Sequence, residues 1–197
     1  TPVGMYDELA ARYAAGRLSF AQVTSVNLDE YVGLTPDHPQ SYRYFMDTHL
    51  FSRVDIRREA THVPDGLAAD PQQAGAAYDR MIEELGGIDL QVLGIGNNGH
   101  IGFNEPADTY TAQTHIVALQ PSTINANARF FSSADEVPTH AITMGMRAIM
   151  QARRILLLAG AEKRQIVERA FTGPVTPQVP ASLLQLHPDV TVIVADA

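Results

Sequence analysis

Residues 88–106, IDLQVLGIGNNGHIGFNEP, restrict the fold of this chain more than any other stretch. An apolar run (Leu90, Val92, Leu93, Ile95) ends in a glycine-rich turn that delivers Asn97, Asn98, His100, Asn104 and Glu105 within nine residues. On a chain that also carries long helical patterns, such a run is what a strand buried on both faces of a parallel sheet looks like. Ligands of such sheets sit beyond the carboxyl ends of the strands, where this loop would lie.

The pattern on either side extends that reading. Thr1 and Pro2 are predicted to start a helix with Met5, Leu9 and Tyr13 on one face and Gly16 at its end. Val23–Leu28 has strand composition and runs into Asp29, Glu30 and Tyr31. Pro36–Gln40 is a turn-rich loop, Ser41–Phe51 a helix capped by Ser41, with its aromatics in the core, and 54–69 a loop with room for a short edge strand. A helix from Asp70–Pro71 to Leu85, with Ala74, Tyr78, Met81, Ile82 and Leu85 on its buried side, leads through Gly86–Gly87 into the central strand. After it come a strand at His115–Leu119 and a helical or turn segment from Ser122 to about Ser132. The pattern then predicts one long helix over Pro138–Arg153, a strand in RILLLAG, a helix between Gly160 and Phe171, a short turn at Ser182–Leu186 and a strand at Val190–Val194. Helices and strands alternate with short connections, the signature of a single-domain, three-layer α/β/α sandwich with a mostly parallel sheet across residues 1–197.

Composition narrows the chemistry. The 197 residues carry 22 acidic and 14 basic side chains, a formal charge of −8, which argues against broad binding to nucleic acid backbone. Cysteine is absent from them, so thiolate nucleophiles, disulfides and Cys-ligated metals are excluded here. The seven histidines show no HxxH or HExxH spacing, so no metal is expected. The Gly94–Gly99 glycines are followed by Asn104-Glu105-Pro106 rather than by a helix, which argues against a dinucleotide cofactor. No stretch is long enough to span a membrane and no leader pattern opens the chain, so a cytoplasmic location is the expectation.

In a parallel sheet, residues that follow strands converge on one rim. That rule collects Asp29 and Glu30, the Asn97–Glu105 loop, Lys163 and Asp196. His100 is the side chain of this set that titrates near neutrality unaided, and Glu105 is close enough in sequence to orient it, although the spacing equally allows His100 to do no more than close the turn. Asp29, if buried beside Glu30, would have a raised pKa suited to proton abstraction; a simple cap or turn role is the other reading. Arg129 lies among asparagines and phenylalanines, and Lys163 opposes the dipole of the helix it starts unless an anion sits there, so both are candidate phosphate ligands.

Five segments in order, NLDEYVGL (27–34), HPQSYRYF (38–45), GIGNNGHIGFNEP (94–106), NARFF (127–131) and LQLH (184–187), resemble the glucosamine-6-phosphate deaminase family. The resemblance covers essentially the whole chain. It implies a Rossmann-like α/β/α fold, shared with sugar-phosphate isomerases and lactonases, and a cofactor-free conversion of glucosamine 6-phosphate and water to fructose 6-phosphate and ammonia in amino sugar catabolism. Carried across, Asp29 matches the base that moves a proton between C2 and C1. His100 matches the residue that opens the sugar ring, helped by Glu105 and by the position of Asn98. Arg129 and Lys163 match the pair that holds the phosphate, and Thr1 matches the end of a glycine-rich loop that completes it.

Some relatives have Asp where this chain has Asn98; an amide can orient His100 but cannot carry a proton. The positions that bind an effector phosphate in allosteric relatives match Asp108, His115 and Val117, a set unsuited to that task. The resemblance further implies a strand and glycines before Thr1, a tail after Ala197, and compatibility with a homo-oligomer. Two alternatives remain at this level: a phosphogluconolactonase-like hydrolase, and a sugar-phosphate-binding sensor without turnover.

Overall fold

The apolar run at 90–95 does form a strand. In the computed structural model, which describes residues 1–131, 133 and 136–196, with Ala126 described by its backbone alone, Leu90–Leu93 (β4) pairs in parallel with Arg154–Ala159 (β7), and β7 pairs in parallel with Val190–Val194 (β8). Gln91, Leu93, Ile155, Leu157 and Ala159 are buried on one face of this sheet. Helix Pro71–Glu84 (α3) contributes Tyr78 and Ile82 to the same core, the short helix Met146–Met150 (α5) adds Ile149, and Arg164–Thr172 (α6) adds Ile166, Val167 and Ala170. The opposite face is apolar as well: Val92, Leu156 and Leu158 are half-buried, while Leu90 and Ile193 are just over half exposed. Apolar side chains on both faces are the mark of the middle layer of a sandwich.

A second sheet is antiparallel. Asp29–Tyr31 (β2) pairs with His140–Thr143 (β6), and β6 pairs with His115–Ala118 (β5). Tyr31, Phe103, Leu119 and Ala141 form its own buried cluster. A third, two-stranded parallel pair joins Ser25–Val26 (β1) to Thr61–His62 (β3). The fold is therefore a mixed α/β arrangement of the Rossmann-like sandwich type, in which an antiparallel sheet accompanies the expected parallel one.

Several boundaries differ from the pattern reading. The stretch 138–153 is not one helix: β6 ends at Thr143, Gly145 caps α5, and α5 has five residues. A side-chain carbon at Gly145 would collide with the backbone carbonyls of Ala112 and Gln113, and Met146 and Arg147 donate to Thr111 and Ala112 carbonyls at 2.9 and 3.0 Å. That close packing turns the chain where local periodicity alone continues a helix. Helix Val3–Ala14 (α1) starts after Pro2 without a side-chain cap, so Thr1 does not cap it. The strand read at 23–28 shrinks to β1, Leu85 and Tyr44 are exposed rather than core, and helix Pro121–Asn127 (α4) begins one residue before Ser122. Ser132, the expected end of that segment, lies outside the described residues.

Helix Tyr42–His49 (α2) links the fold to the site. Ser41 is fully buried; its hydroxyl accepts from the Tyr44 amide at 3.0 Å and donates to the Pro36 carbonyl at 3.2 Å. The first two amides of α2, from Tyr42 and Arg43, donate to the Glu30 carboxylate at 2.9 and 3.0 Å, and Tyr31 adds a third at 2.8 Å. A carboxylate at a helix start satisfies amides that have no partner within the helix. Ser41→Ala removes the cap and orphans the Tyr44 amide, so urea denaturation should show a loss of about 1–2 kcal/mol. A loss below about 0.5 kcal/mol would contradict this role.

Candidate active site

The site is built on the turn that follows β4. The Gly96 amide donates to the His100 carbonyl and the Gly99 amide to the Gly96 carbonyl, both at 2.9 Å, so the chain curls tightly back on itself. The His100 imidazole lies against the bare α-carbon of Gly96, where any side chain would overlap the ring. Gly102, at φ +58°, lets the loop bend down onto β2 and β6: a side-chain carbon there would sit 3.0 Å from Thr143 Oγ1 and 3.4 Å from Asp29 Oδ2. Buried Asn104 fastens the far end, its Nδ2 donating to the Ile101 and Met144 carbonyls at 3.0 and 2.9 Å. The Phe103 amide donates to Thr143 Oγ1 at 3.0 Å.

This folding joins three of the candidate residues directly. His100 Nδ1 lies 3.4 Å from Glu105 Oε2, and Asn98 Nδ2 donates to the same oxygen at 2.7 Å. Asn98 Oδ1 in turn accepts from the His100 amide at 3.2 Å. The other carboxylate oxygen of Glu105 accepts from the Thr123 hydroxyl at 2.5 Å, with the Gln120 amide at 3.5 Å. Burial alone would favour the protonated acid, but His100, the Thr123 hydroxyl and the Asn98 amide outweigh it and hold Glu105 down to about 2. Glu105 is therefore an anion held through both oxygens by Asn98 and Thr123, with His100 Nδ1 in ion-pair reach of one of them. The sequence offered no signal for Thr123 or Gln120, which reach the loop from the start of α4.

Asp29 is only 9% exposed, beneath the loop that carries His100. It does not follow a parallel strand, as the rim rule expected; it belongs to β2, opposite Thr143 of β6. Burial, reinforced by the charge of neighbouring Glu30, pushes its carboxyl up to about 8. Such a group is a stronger base than an exposed aspartate and keeps its proton at neutral pH until a ligand changes its surroundings. Asp196, also collected by the rim rule, is instead fully exposed and pairs with Arg164 at 3.8 Å.

The basic candidates form a second group. Lys163, at the start of α6, is bonded through Nζ to Asn97 Oδ1, which ties it to the same loop as His100. Partial burial lowers its pKa; the Glu162 carboxylate works against that, and the positive charge of Arg129 adds to it. Arg129 stands on the 3₁₀ turn Ala128–Phe130 with its guanidinium 4.7 Å from the Phe130 ring centre. Thr1 stands beside the end of β4, its Oγ1 4.0 Å from where a side-chain carbon on Gly94 would stand. Lys163 and Thr1 thus lie around the end of β4, with the charge of Arg129 acting on Lys163, an arrangement that suits an anion such as a phosphate. Among the described residues there is no cluster of His, Asp and Glu able to hold a metal ion, and no helix long and apolar enough to cross a membrane.

The depressed Glu105 pKa has a measurable consequence. A carboxylate whose folded pKa is below its unfolded one stabilises the fold above the unfolded value and loses that contribution as pH falls through the folded one. The stability difference between the wild type and Glu105→Gln should therefore shrink as pH drops from 4.5 to about 2 in urea titrations. A difference that stays constant over that interval would contradict the hydrogen-bonded anion.

Known proteins resemble this chain over nearly its whole length. Residues 1–193 match the model of the family described as glucosamine-6-phosphate isomerases/6-phosphogluconolactonase. A glucosamine-6-phosphate deaminase of Lachnoclostridium phytofermentans is 59% identical over 194 residues, covering 98% of this chain and 82% of the relative. One from Clostridium perfringens is 53% identical over 195 residues, covering 98% and 81%. Among solved structures, a monomeric glucosamine-6-phosphate deaminase superposes with a TM-score of 0.95 at 42% identity, over 98% of this chain and 80% of that one. A 6-phosphogluconolactonase from Thermotoga maritima shares the fold, with a TM-score of 0.76 at 21% identity over 100% and 81%. The chain belongs to the glucosamine-6-phosphate isomerase/6-phosphogluconolactonase family.

Proposed function

We propose that this protein is a cytoplasmic glucosamine-6-phosphate deaminase, converting D-glucosamine 6-phosphate and water to D-fructose 6-phosphate and ammonia. The observation that carries the reading is the meeting, around one loop, of a buried high-pKa carboxylate, an imidazole ordered by an ionised glutamate, and a cationic pair. The identity to deaminases, 59% and 53% for the two relatives above, against 21% to the lactonase, favours the amino sugar over the lactone as substrate.

In this mechanism Arg129, Lys163 and Thr1 hold the phosphate, fixing the sugar's far end. His100, oriented by Glu105 and Asn98, transfers the proton that opens the pyranose to the free aldehyde. Because Asn98 has no titratable proton, the relay consists of His100 and Glu105 alone. Asp29, ionised in the substrate complex, then takes the proton from C2, which is acidic because it lies beside the carbonyl, while O1 takes up a proton, leaving an enolamine across C1 and C2. Returning the C2 proton to C1 as the nitrogen gives one up yields the 2-imine beside a hydroxymethyl C1, and addition of water with loss of ammonia leaves the ketone of fructose 6-phosphate. A carboxylate shielded from water can pass the same proton from C2 to C1 without losing it to solvent. All of these groups come from one chain, which supports a site that functions without a second copy, whether or not the protein assembles.

The test is ammonia release from glucosamine 6-phosphate, coupled to detection of fructose 6-phosphate. Asp29→Asn removes the base while keeping its shape, so turnover should fall by about 10²–10⁴ while calorimetric affinity for the substrate stays close to that of the wild type. Turnover within about tenfold of the wild type would remove Asp29 from this role.

A further inference from the structure

Tyr31 connects the two halves of the site, though neither its sequence position nor the family resemblance assigns it a task. It follows Asp29 by two residues on β2, so both side chains leave the same face of the strand, and it is 4% exposed. Its ring is fixed by stacking on Tyr42, with centroids 5.4 Å apart at 18°, and by a tilted contact with Phe103 at 5.5 Å. Burial, and to a lesser degree the Asp29 charge, holds its phenol far above the ordinary range, so at neutral pH it is a hydroxyl.

That hydroxyl accepts a hydrogen bond from Asn127 Nδ2 at 2.9 Å, and the Phe131 ring meets Tyr31 edge-on at 6.0 Å and 82°. Asn127 is the last residue of α4 and stands two positions before Arg129, while Phe131 stands two positions after it. Between them runs the turn Ala128–Phe130, which buries none of its residues, with Phe130 itself half exposed. The backbone under Arg129 is thus bracketed by two contacts that end on one tyrosine, with Phe131 also stacked on His38 at 6.4 Å.

We propose that Tyr31 is a positioning residue for the phosphate end of the substrate: its hydroxyl holds Asn127, and through Asn127 it sets Arg129 at a fixed distance from the base on its own strand. The distance between base and phosphate clamp must match the length of an open six-carbon chain, and an error of an ångström there costs heavily in rate. A phenylalanine would keep the ring packing and remove only the acceptor, leaving the Asn127 amide unpaired. The proposal rests on the deaminase reading for its choice of substrate.

The experiment uses Tyr31→Phe, Asn127→Ala and the double variant of the full chain, with three readouts: KM and kcat for glucosamine 6-phosphate, and the inhibition constant of inorganic phosphate. Each single variant should raise KM and the phosphate inhibition constant together by about threefold to tenfold, the range expected for one lost hydrogen bond, with kcat falling by less than KM rises. The double variant should be no worse than either single one, because both remove the same link. An unchanged phosphate inhibition constant, or effects that add in the double variant, would overturn the proposal. Should Tyr31→Phe fail to fold, Asn127→Ala decides the question by the same readouts. Wild-type protein that releases no ammonia but binds inorganic phosphate by calorimetry, with that affinity weakened threefold to tenfold in both variants, would refute the deaminase reading and leave Tyr31's role standing. Ammonia release with wild-type phosphate inhibition in both variants would refute the Tyr31 assignment alone.

Discussion

The arrangement depends on one costly placement: a carboxylate, Asp29, packed at 9% exposure under a glycine-bearing loop and against a second acid, Glu30. Removing an ionisable group from water penalises its charged form, and a neighbouring anion adds to the penalty, which is why Asp29 is pushed up to about 8. A fold tolerates this only where packing overdetermines the position. Here fully buried Ile142 and Thr143 of β6 and Met144 just after it lie beside Asp29, and the Met144 amide closes onto the Leu28 carbonyl at 2.6 Å, one residue before Asp29. Glu30 is handled differently. Three backbone amides, two from the start of α2, receive its carboxylate, so the helix start and the second acid satisfy each other.

The loop above Asp29 follows the opposite logic. Glu105 is partly buried, yet an imidazole, a hydroxyl and an amide converge on it and keep it ionised, down to about 2. In the proposed mechanism two carboxylates whose surroundings drive their pKa values apart divide the acid–base work between them: one serves as base, the other as a fixed anion beside an imidazole. Gly96 and Gly102 make the division possible. The first leaves room for the His100 ring and the second lets the loop approach Asp29 closely.

Much of this was legible in the sequence because the relevant signals are local. The strand and turn at 88–106, α3 with its Asp70 cap, β5, β7, α6 and β8 each carry a strong pattern, and Asn98, His100 and Glu105 lie within one turn of chain. What was not legible is tertiary. The spacing of Ile142, Met146 and Ile149 suits a helix, and only the contact of Gly145 with the 112–113 backbone breaks it into β6 and α5. The antiparallel β2–β6–β5 sheet has no local signature, so Asp29 was expected beyond the end of a parallel strand and is found inside an antiparallel one. The family motif located Asp29 where the topological rule placed it for the wrong reason. Thr123 and Gln120 were invisible because their role depends on how the start of α4 meets a loop fifteen or more residues earlier.

The central claim is that Asp29 is a buried, proton-holding base in the free protein, and its own titration tests this most directly. With aspartate labelled at the carboxyl carbon, Asp29 can be identified by the loss of its signal in Asp29→Asn, and its ¹³C shift followed against pH. The account predicts a midpoint of about 8. A midpoint near 3.8, the value of an unburied aspartate, would mean that the carboxylate is solvated and that the site does not work as described.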